Sequence, residues 1–309
     1  MNENKRFILD EDYEECRIDK LLAEINPELS RSFIQRVIDD KGVFVNNKPV
    51  KASFKPKSGD EIVFNIPEMI VPDILAEDIP LDIIYEDNDI ILINKGKGMV
   101  VHPAAGNYTG TVVNALMYHC KDNLSGINGV LRPGIVHRID KDTTGVIIAC
   151  KNDNSHRFIA GQLKEHSITR RYEAVVLGLF KDSEGIIDAP IGRNPNDRKK
   201  MAINEKNGKN AVTHYKVLDV IDNRFTHLEC RLETGRTHQI RVHMASIGHP
   251  LLGDTVYGPE KGYSKVFGME LQGQCLHAGI LGLIHPTTHE YMEFKAELPD
   301  YFKKILEHK

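Results

Sequence analysis

Cysteine is scarce in this chain, and its placement removes two kinds of scaffold at once. The 309 residues carry five cysteines, Cys16, Cys120, Cys150, Cys230 and Cys275, an odd and scattered set with no Cys-x-x-Cys pair. That argues against a disulfide framework and a thiolate metal site, and it predicts a reduced, cytoplasmic protein. Long apolar runs are missing too. None approaches the ~20 residues of a membrane span, and the polar start Met1-Asn2-Glu3-Asn4-Lys5 predicts no signal peptide. No Gly-x-x-x-x-Gly-Lys-Ser/Thr loop and no His-Glu-x-x-His run occurs, so neither a phosphate cradle of that type nor a zinc helix is expected. Bulk positive charge is absent as well: the formal net charge is −4, which excludes a protein that coats nucleic acid by charge alone.

What positive charge there is comes in two islands. Between Leu29 and Lys57 the cations Arg31, Arg36, Lys41, Lys48, Lys51, Lys55 and Lys57 face only Asp39 and Asp40, a local +5. Between Arg193 and Lys216 the cations Arg193, Arg198, Lys199, Lys200, Lys206, Lys209 and Lys216 face Asp197 and Glu205, again +5. Cationic islands on an acidic chain suit selective phosphate contact, although either alone reads equally well as solvated surface.

With 41% hydrophobic residues the chain can bury a large domain and a small one. Ile18, Leu21, Leu22 and Ile25 fall at i, i+3, i+4 and i+7 and predict an amphipathic helix. A second helix opens near Ser30 or Ser32, with Ser32 and Gln35 as a capping box and Phe33, Ile34, Val37 and Ile38 inward. Gly42 to Val50 reads as strand, turn, strand, and Gly59 to Phe64 as another strand. Pro67, Pro72 and Pro80 punctuate a stretch of weak periodicity, which sets the expected division: a small domain at 1–70, a linker at 71–80 and a large domain at 81–309. In the large domain, Asp82 to Asp87, Ile90 to Lys95, Tyr172 to Leu177, Ala211 to Val220 and Phe225 to Leu232 read as strands. Thr111 to His119, Ser155 to His166 and Gln239 to Ile247 read as helices, and Pro299 opens a last one. Hairpin spacings outnumber helical crossovers, so the expected fold is α+β with a mixed, mainly antiparallel sheet.

The densest chemistry lies at Val136-His137-Arg138-Ile139-Asp140-Lys141-Asp142-Thr143-Thr144-Gly145, five ionisable side chains framed by Gly134-Ile135 and the apolar run Val146 to Ala149. Charge at that density beside a buried strand must pair, hydrogen-bond or act on something. The decapeptide resembles the catalytic motif of the RluA-type pseudouridine synthases. Asn94 to Pro103, Arg171-Tyr172-Glu173-Ala174, Thr234 to His243 with Gly248 to Asp254, and Leu276-His277-Ala278 extend the likeness in the expected order over about residues 80 to 300. Gly96 stands where the family usually has Pro, a change of turn and not of chemistry. The helix-helix-strand order with Arg31, Arg36 and Lys41 around the second helix resembles an S4 RNA-binding domain.

The resemblance implies an isomerase that converts uridine to pseudouridine in structured RNA, with large-subunit (23S) ribosomal RNA the foremost substrate and tRNA another. It implies no cofactor and no metal, no membrane, and a monomer. By the same resemblance Asp140 is the essential carboxylate, Arg241 the cation that keeps it ionised, and Tyr172 the side chain that packs on the base and removes the C5 proton. Arg138 is the residue that fills the RNA stack, while Arg31, Arg36, Lys41 and Lys48 would meet RNA phosphates. Two rival readings stand beside it. Asp140-x-Asp142-x-Thr144 fits the Asp-x-Asp-x-Thr pattern of Mg-dependent haloacid dehalogenase-type phosphatases, and the basic helix near Arg36 alone would serve a non-catalytic RNA-binding protein. The histidines at 238, 243 and 249 invite a metal reading, but hydrogen bonding is the expectation because no Cys or Glu completes a ligand set.

Overall fold

A computed structural model describes residues 3–66, 74–104, 106–121, 123–129, 131–197, 200–259 and 263–308. The chain divides into two compact units, residues 1–72 and 73–309.

The first unit runs β1 (Glu3–Ile8), α1 (Ile18–Ile25), α2 (Arg31–Asp39), β2 (Val43–Val45), β3 (Lys48–Pro49) and β4 (Glu61–Ile66). Its antiparallel sheet has the order β1-β4-β2-β3. Ile18, Leu22, Ile34, Val37 and Ile38 from the helices close over Val43, Ile62 and Phe64 from the sheet. Ile25 completes the helical spacing but is 46% exposed, because it is the last residue of α1 and the chain turns away there. The expected capping box is not formed. Ser30 caps α2 by accepting from the Phe33 amide, Ser32 only touches the Ser30 hydroxyl, and Gln35 reaches Asp19 instead.

The second unit contains β5 (Ile83–Glu86), β6 (Ile90–Lys95), α3 (Val112–Cys120), β7 (Thr144–Cys150), α4 (Asp153–Lys164) and β8 (Thr169–Leu177). After these come β9 (Glu184–Asp188), β10 (Ile191–Arg193), β11 (Met201–Ile203), β12 (Val212–Ile221), β13 (Phe225–Leu232) and α5 (Gln239–Ser246). The unit ends with α6 (Ser264–Phe267), β14 (Leu276–Ile284), β15 (Tyr291–Lys295) and α7 (Asp300–Leu306). Nine strands make one sheet in the order β5-β6-β7-β14-β8-β13-β12-β9, with β15 also paired to β14, while β10 and β11 form a separate ribbon. Within the nine-stranded sheet β7 and β14 run parallel and the other neighbours antiparallel, as the α+β expectation had it.

Both faces of the sheet are covered, and this explains its continuous apolar runs. Along β6, Ile91 and Ile93 join Val112, Val113 and Leu116 of α3 on one face, while Ile90 and Leu92 join Ile159 of α4 on the other. Further along, α5 packs Ile240 and Met244 on Ala174, Leu228 and Cys230, and α7 packs Phe302 and Ile305 on Val175 and Phe225. Of the expected linker, residues 71–73 lie outside the described residues, as do Arg198 and Lys199 of the second basic island. Ile74 to Ile79 are fastened to the second unit: Ile74 is buried with Ile91 and Leu116, and the Asn114 amide donates to the Leu75 carbonyl at 2.8 Å.

Candidate active site

Asp140 sits in the loop that leads into the central strand β7, and the loop is held from three sides. His137 Nε2 accepts the Ile148 amide at 3.0 Å, so the ring is neutral, and burial pushes its pKa down to about 4. Lys95, fully buried, donates its three N–H groups to the carbonyls of Gly96, Met99 and Lys141. Burial pulls that ammonium down to about 8 against the attraction of Asp142 and Asp140. Gln274 donates to the Thr143 hydroxyl at 3.0 Å. Gly145, with φ +111°, lets β7 approach β14 so closely that a Cβ there would fall on the Ala278 carbonyl.

Arg241 arrives from α5, whose first turn is anchored by Gln239. That amide accepts from the Thr234 hydroxyl and the Arg236 amide and donates to the Val212 carbonyl. The guanidinium gives one hydrogen bond to Asp140, Nη1 to Oδ2 at 2.9 Å. Its two-point contact is with Asp254, Nε to Oδ2 at 2.7 Å and Nη2 to Oδ1 at 2.9 Å. The two-point fork of Arg241 therefore lies on a second acid, Asp254, which is not among the sequence candidates. Asp254 is fully buried and also accepts the amides of Val256 and Tyr257. Burial alone would raise its pKa, but Arg241 and those amides hold it below the carboxylate range. Burial works likewise to lower Arg241, and Asp254 and then Asp140 reverse it and fix the charge. The Arg241 guanidinium also lies 5.1 Å from the centre of the Tyr257 ring.

The Asp140 side chain is 17% exposed, facing a small cavity that Ile139, Tyr172, Leu232, His238 and Arg241 also line. His238, in a left-handed backbone conformation at the start of α5, places Nε2 3.8 Å from Asp140 and bonds Nδ1 to the Tyr257 hydroxyl at 2.8 Å. Burial lowers its pKa although Asp140 opposes the shift. The cavity thus sets the Asp140 carboxylate and the Arg241 guanidinium beside the apolar surfaces of Ile139, Tyr172, Leu232 and Leu276. Tyr172 faces it from β8, but burial raises its phenol above the usual value, with Arg170 pulling the other way. That is the direction opposite to the one a resting general base needs. Arg138 is exposed at the same cavity.

The other sequence candidates divide. His243 bonds Thr213 and the Ala189 carbonyl, and His249 the Leu177 carbonyl, so they and His238 do not converge on a metal. Among the described residues two clusters elsewhere could hold an ion, Glu86 with His119 and Cys120, and Asp87 with Asp89 and His285, and none of these residues lines the Asp140 cavity. The Asp-x-Asp-x-Thr pattern does not assemble either. Thr144 points its hydroxyl to the buried His277, and Asp142 packs against Gly273, away from the cavity lining. In the first unit Arg36, Lys41 and Lys48 are exposed, whereas Arg31 lies on the fully buried Asp19, together with Arg17 and Gln35. Burial would raise Asp19, but these partners hold it well below the carboxylate range. Two guanidiniums on one carboxylate leave a net positive charge at the surface, so Arg31 is half committed to the fold.

Comparison with known proteins fits this site. A family model described as RNA pseudouridylate synthase matches residues 89–246, and an S4 domain model matches residues 16–62. An uncharacterised RNA pseudouridine synthase of Bacillus subtilis is 52% identical over 94% of this chain and 93% of its own. The ribosomal large subunit pseudouridine synthase D of Escherichia coli is 44% identical over 94% and 90%. Among solved structures, human RNA pseudouridylate synthase domain containing 1 aligns with a TM-score of 0.58 at 25% identity, covering 72% of this chain and 85% of the other. The motif strings, the sheet and these likenesses agree: the chain belongs to the RNA pseudouridylate synthase family of isomerases and carries an S4 domain in its first unit.

Proposed function

We propose that the protein isomerises uridines of large-subunit ribosomal RNA, using the Asp140 carboxylate. The observation that carries this reading is the chain of hydrogen bonds from Asp254 through Arg241 to Asp140, which presents one carboxylate to a cavity that Tyr172 and Leu232 also line. The relatives in Escherichia coli and Zymomonas mobilis, 44% and 47% identical, bear the name ribosomal large subunit pseudouridine synthase D, which supports the choice of RNA. The reaction breaks the bond from N1 to C1′, turns the base and joins C5 to C1′, so one proton leaves C5 and one arrives at N1. Asp140 acts at the ribose, by adding to C1′ or by promoting a glycal, and both routes need it charged. Arg241 supplies the nearby positive charge.

Tyr172 packs on the base. Since its phenol stays protonated at rest, it can pass a proton on only by giving up its own as it takes the one from C5. Asp140, lining the same cavity, receives that proton and passes it to N1, which restores the carboxylate. Arg138 enters the stack that the flipped nucleotide leaves, where a flat cation can stack and hydrogen-bond together. Arg36, Lys41 and Lys48 of the first unit contact phosphates, with Arg31 contributing through its shared charge with Arg17. The enzyme works as a monomer in the cytoplasm, where its five free thiols stay reduced. The test is to incubate the protein with total RNA from cells that lack it and to map pseudouridines by carbodiimide modification. New sites in large-subunit ribosomal RNA are expected. New sites confined to tRNA would move the substrate, and none in any RNA would remove the activity.

A further inference from the structure

A second cavity, of about 310 Å³, opens beside the first and shares Asp140 and Tyr172 with it. Its walls carry Arg138, Arg170 and Arg236, with His166 and His238, against the single carboxylate of Asp140 that Arg241 already pairs. Arg170 is the informative member. It stands two residues before Tyr172 on β8, so the alternation of a strand puts both on one face. It is only 7% exposed, and its Nη2 donates to the Glu233 carbonyl at 2.8 Å. Among the described residues its Nε finds no acceptor, and the groups that act on its charge are Tyr172 and Arg236, not a carboxylate. Gly235 makes room for it, since a Cβ there would come within 2.6 Å of the Arg170 Nη1.

A buried guanidinium with an unused N–H is an expensive thing to keep unless an anion visits it. Burial pushes this group below its ordinary pKa, and a guanidinium stays protonated in proteins. The cavity adjoins the carboxylate at which a ribose must sit, and the nearest anions that a ribose of RNA brings are its own two phosphodiesters. A guanidinium matches phosphate oxygens two at a time. We infer that this cavity is an anion subsite in which Arg170, supported by Arg236, takes a phosphodiester flanking the target uridine. The inference rests on the reading of the protein as an RNA isomerase and adds the place where the strand is gripped beside the chemistry.

The test uses full-length protein and an RNA fragment that contains a mapped site, made with either flanking linkage replaced by an uncharged methylphosphonate. Wild type, Arg170→Gln and Gly235→Ala, which crowds the guanidinium without removing its charge, are compared for Kd, KM and kcat at several salt concentrations. We expect Arg170→Gln to raise Kd and KM about tenfold or more, to leave kcat within a few fold, and to flatten the log-log salt dependence by roughly 0.7 to 0.9. One neutral linkage should weaken wild type similarly and add little in Arg170→Gln. A fall in kcat with unchanged Kd and salt slope would overturn the subsite and place Arg170 in the chemical step. Neutral linkages that penalise wild type and variant equally would also overturn it. Should Arg170→Gln not fold, Gly235→Ala and Arg236→Gln read the same phosphate coupling. If wild type binds but forms no pseudouridine, the parent reading fails while the coupling in Kd still reports on the subsite.

Discussion

Replacing Asp254 with Asn should cripple the enzyme although Asp254 never meets the cavity floor itself. The carboxylate is fully buried and takes the fork of Arg241 on both oxygens, at 2.7 and 2.9 Å, along with two backbone amides. An amide keeps the shape but turns one acceptor into a donor, and that donor faces the guanidinium. Removing one partner of a buried, hydrogen-bonded pair costs about 3–5 kcal/mol. The lower end applies here because Arg241 keeps Asp140 as a partner. About 3 kcal/mol corresponds to a melting temperature lower by about 6–12 °C for a unit of this size. The larger effect should fall on turnover. Arg241 holds Asp140 by one hydrogen bond, so a guanidinium released from Asp254 swings toward Asp140 or away from it, and a displacement of about 1 Å costs about a hundredfold in rate. Release of tritium from C5-labelled uridine in RNA gives kcat and KM, and calorimetry gives the melting temperature. The expectation is kcat down about a hundredfold with KM within a few fold. Wild-type kcat in a folded Asp254→Asn protein would show that Asp140 needs no such support, and the positioning argument would be abandoned.

Three further outcomes follow from the same geometry. Tyr172→Phe should bind RNA within a few fold of wild type and lose about a hundredfold or more in C5 tritium release, as expected of a group that handles a proton; full release would reduce Tyr172 to a packing surface. Folded His102 and His137 have pKa values near 4, each lowered first by burial, whereas an unfolded imidazole titrates near 6.5. Between those values the unfolded chain binds more protons, so stability must fall as pH drops from about 6.5 toward about 4. His137→Gln should flatten that fall in melting temperature, and an unchanged slope would contradict the assignment. Deleting residues 1–72 should flatten the salt dependence of RNA binding by roughly 0.7 to 0.9 log-log units per lost phosphate contact. An unchanged slope would mean that Arg36, Lys41 and Lys48 meet something else.

Most of the elements are legible in the sequence because their signals are local. Ile18, Leu21 and Leu22 declare a helix by spacing, Thr111 caps α3 with Asn114 three residues on, and Asn46-Asn47 closes a hairpin in left-handed conformations. The misses are residues whose role depends on distant chain. β1 reads as a polar tail, since an edge strand carries charge on its open side and is recognised only through its pairing with β4. β14 contains the Leu276-His277-Ala278 string, yet its place between β7 and β8 depends on partners more than a hundred residues away. In the site, Asp140, Tyr172, Arg138 and Arg241 do line one cavity. Asp254 and Arg170 are not legible in the sequence, for different reasons. An acid after Gly253 carries no mark of the arginine it will hold. The Arg170-Arg171 pair hides which member faces inward until the strand is seen to start at Thr169, after which the alternation with Tyr172 decides it.

The central claim is that a single carboxylate, Asp140, held by a hydrogen bond from Arg241, carries the isomerisation. Asp140→Asn keeps size and shape and removes only the charge, so the most direct measurement is single-turnover pseudouridine formation by this variant, beside its affinity for the same RNA. The account predicts no detectable pseudouridine and a Kd within a few fold of wild type. Product formed at a rate within tenfold of wild type would contradict it.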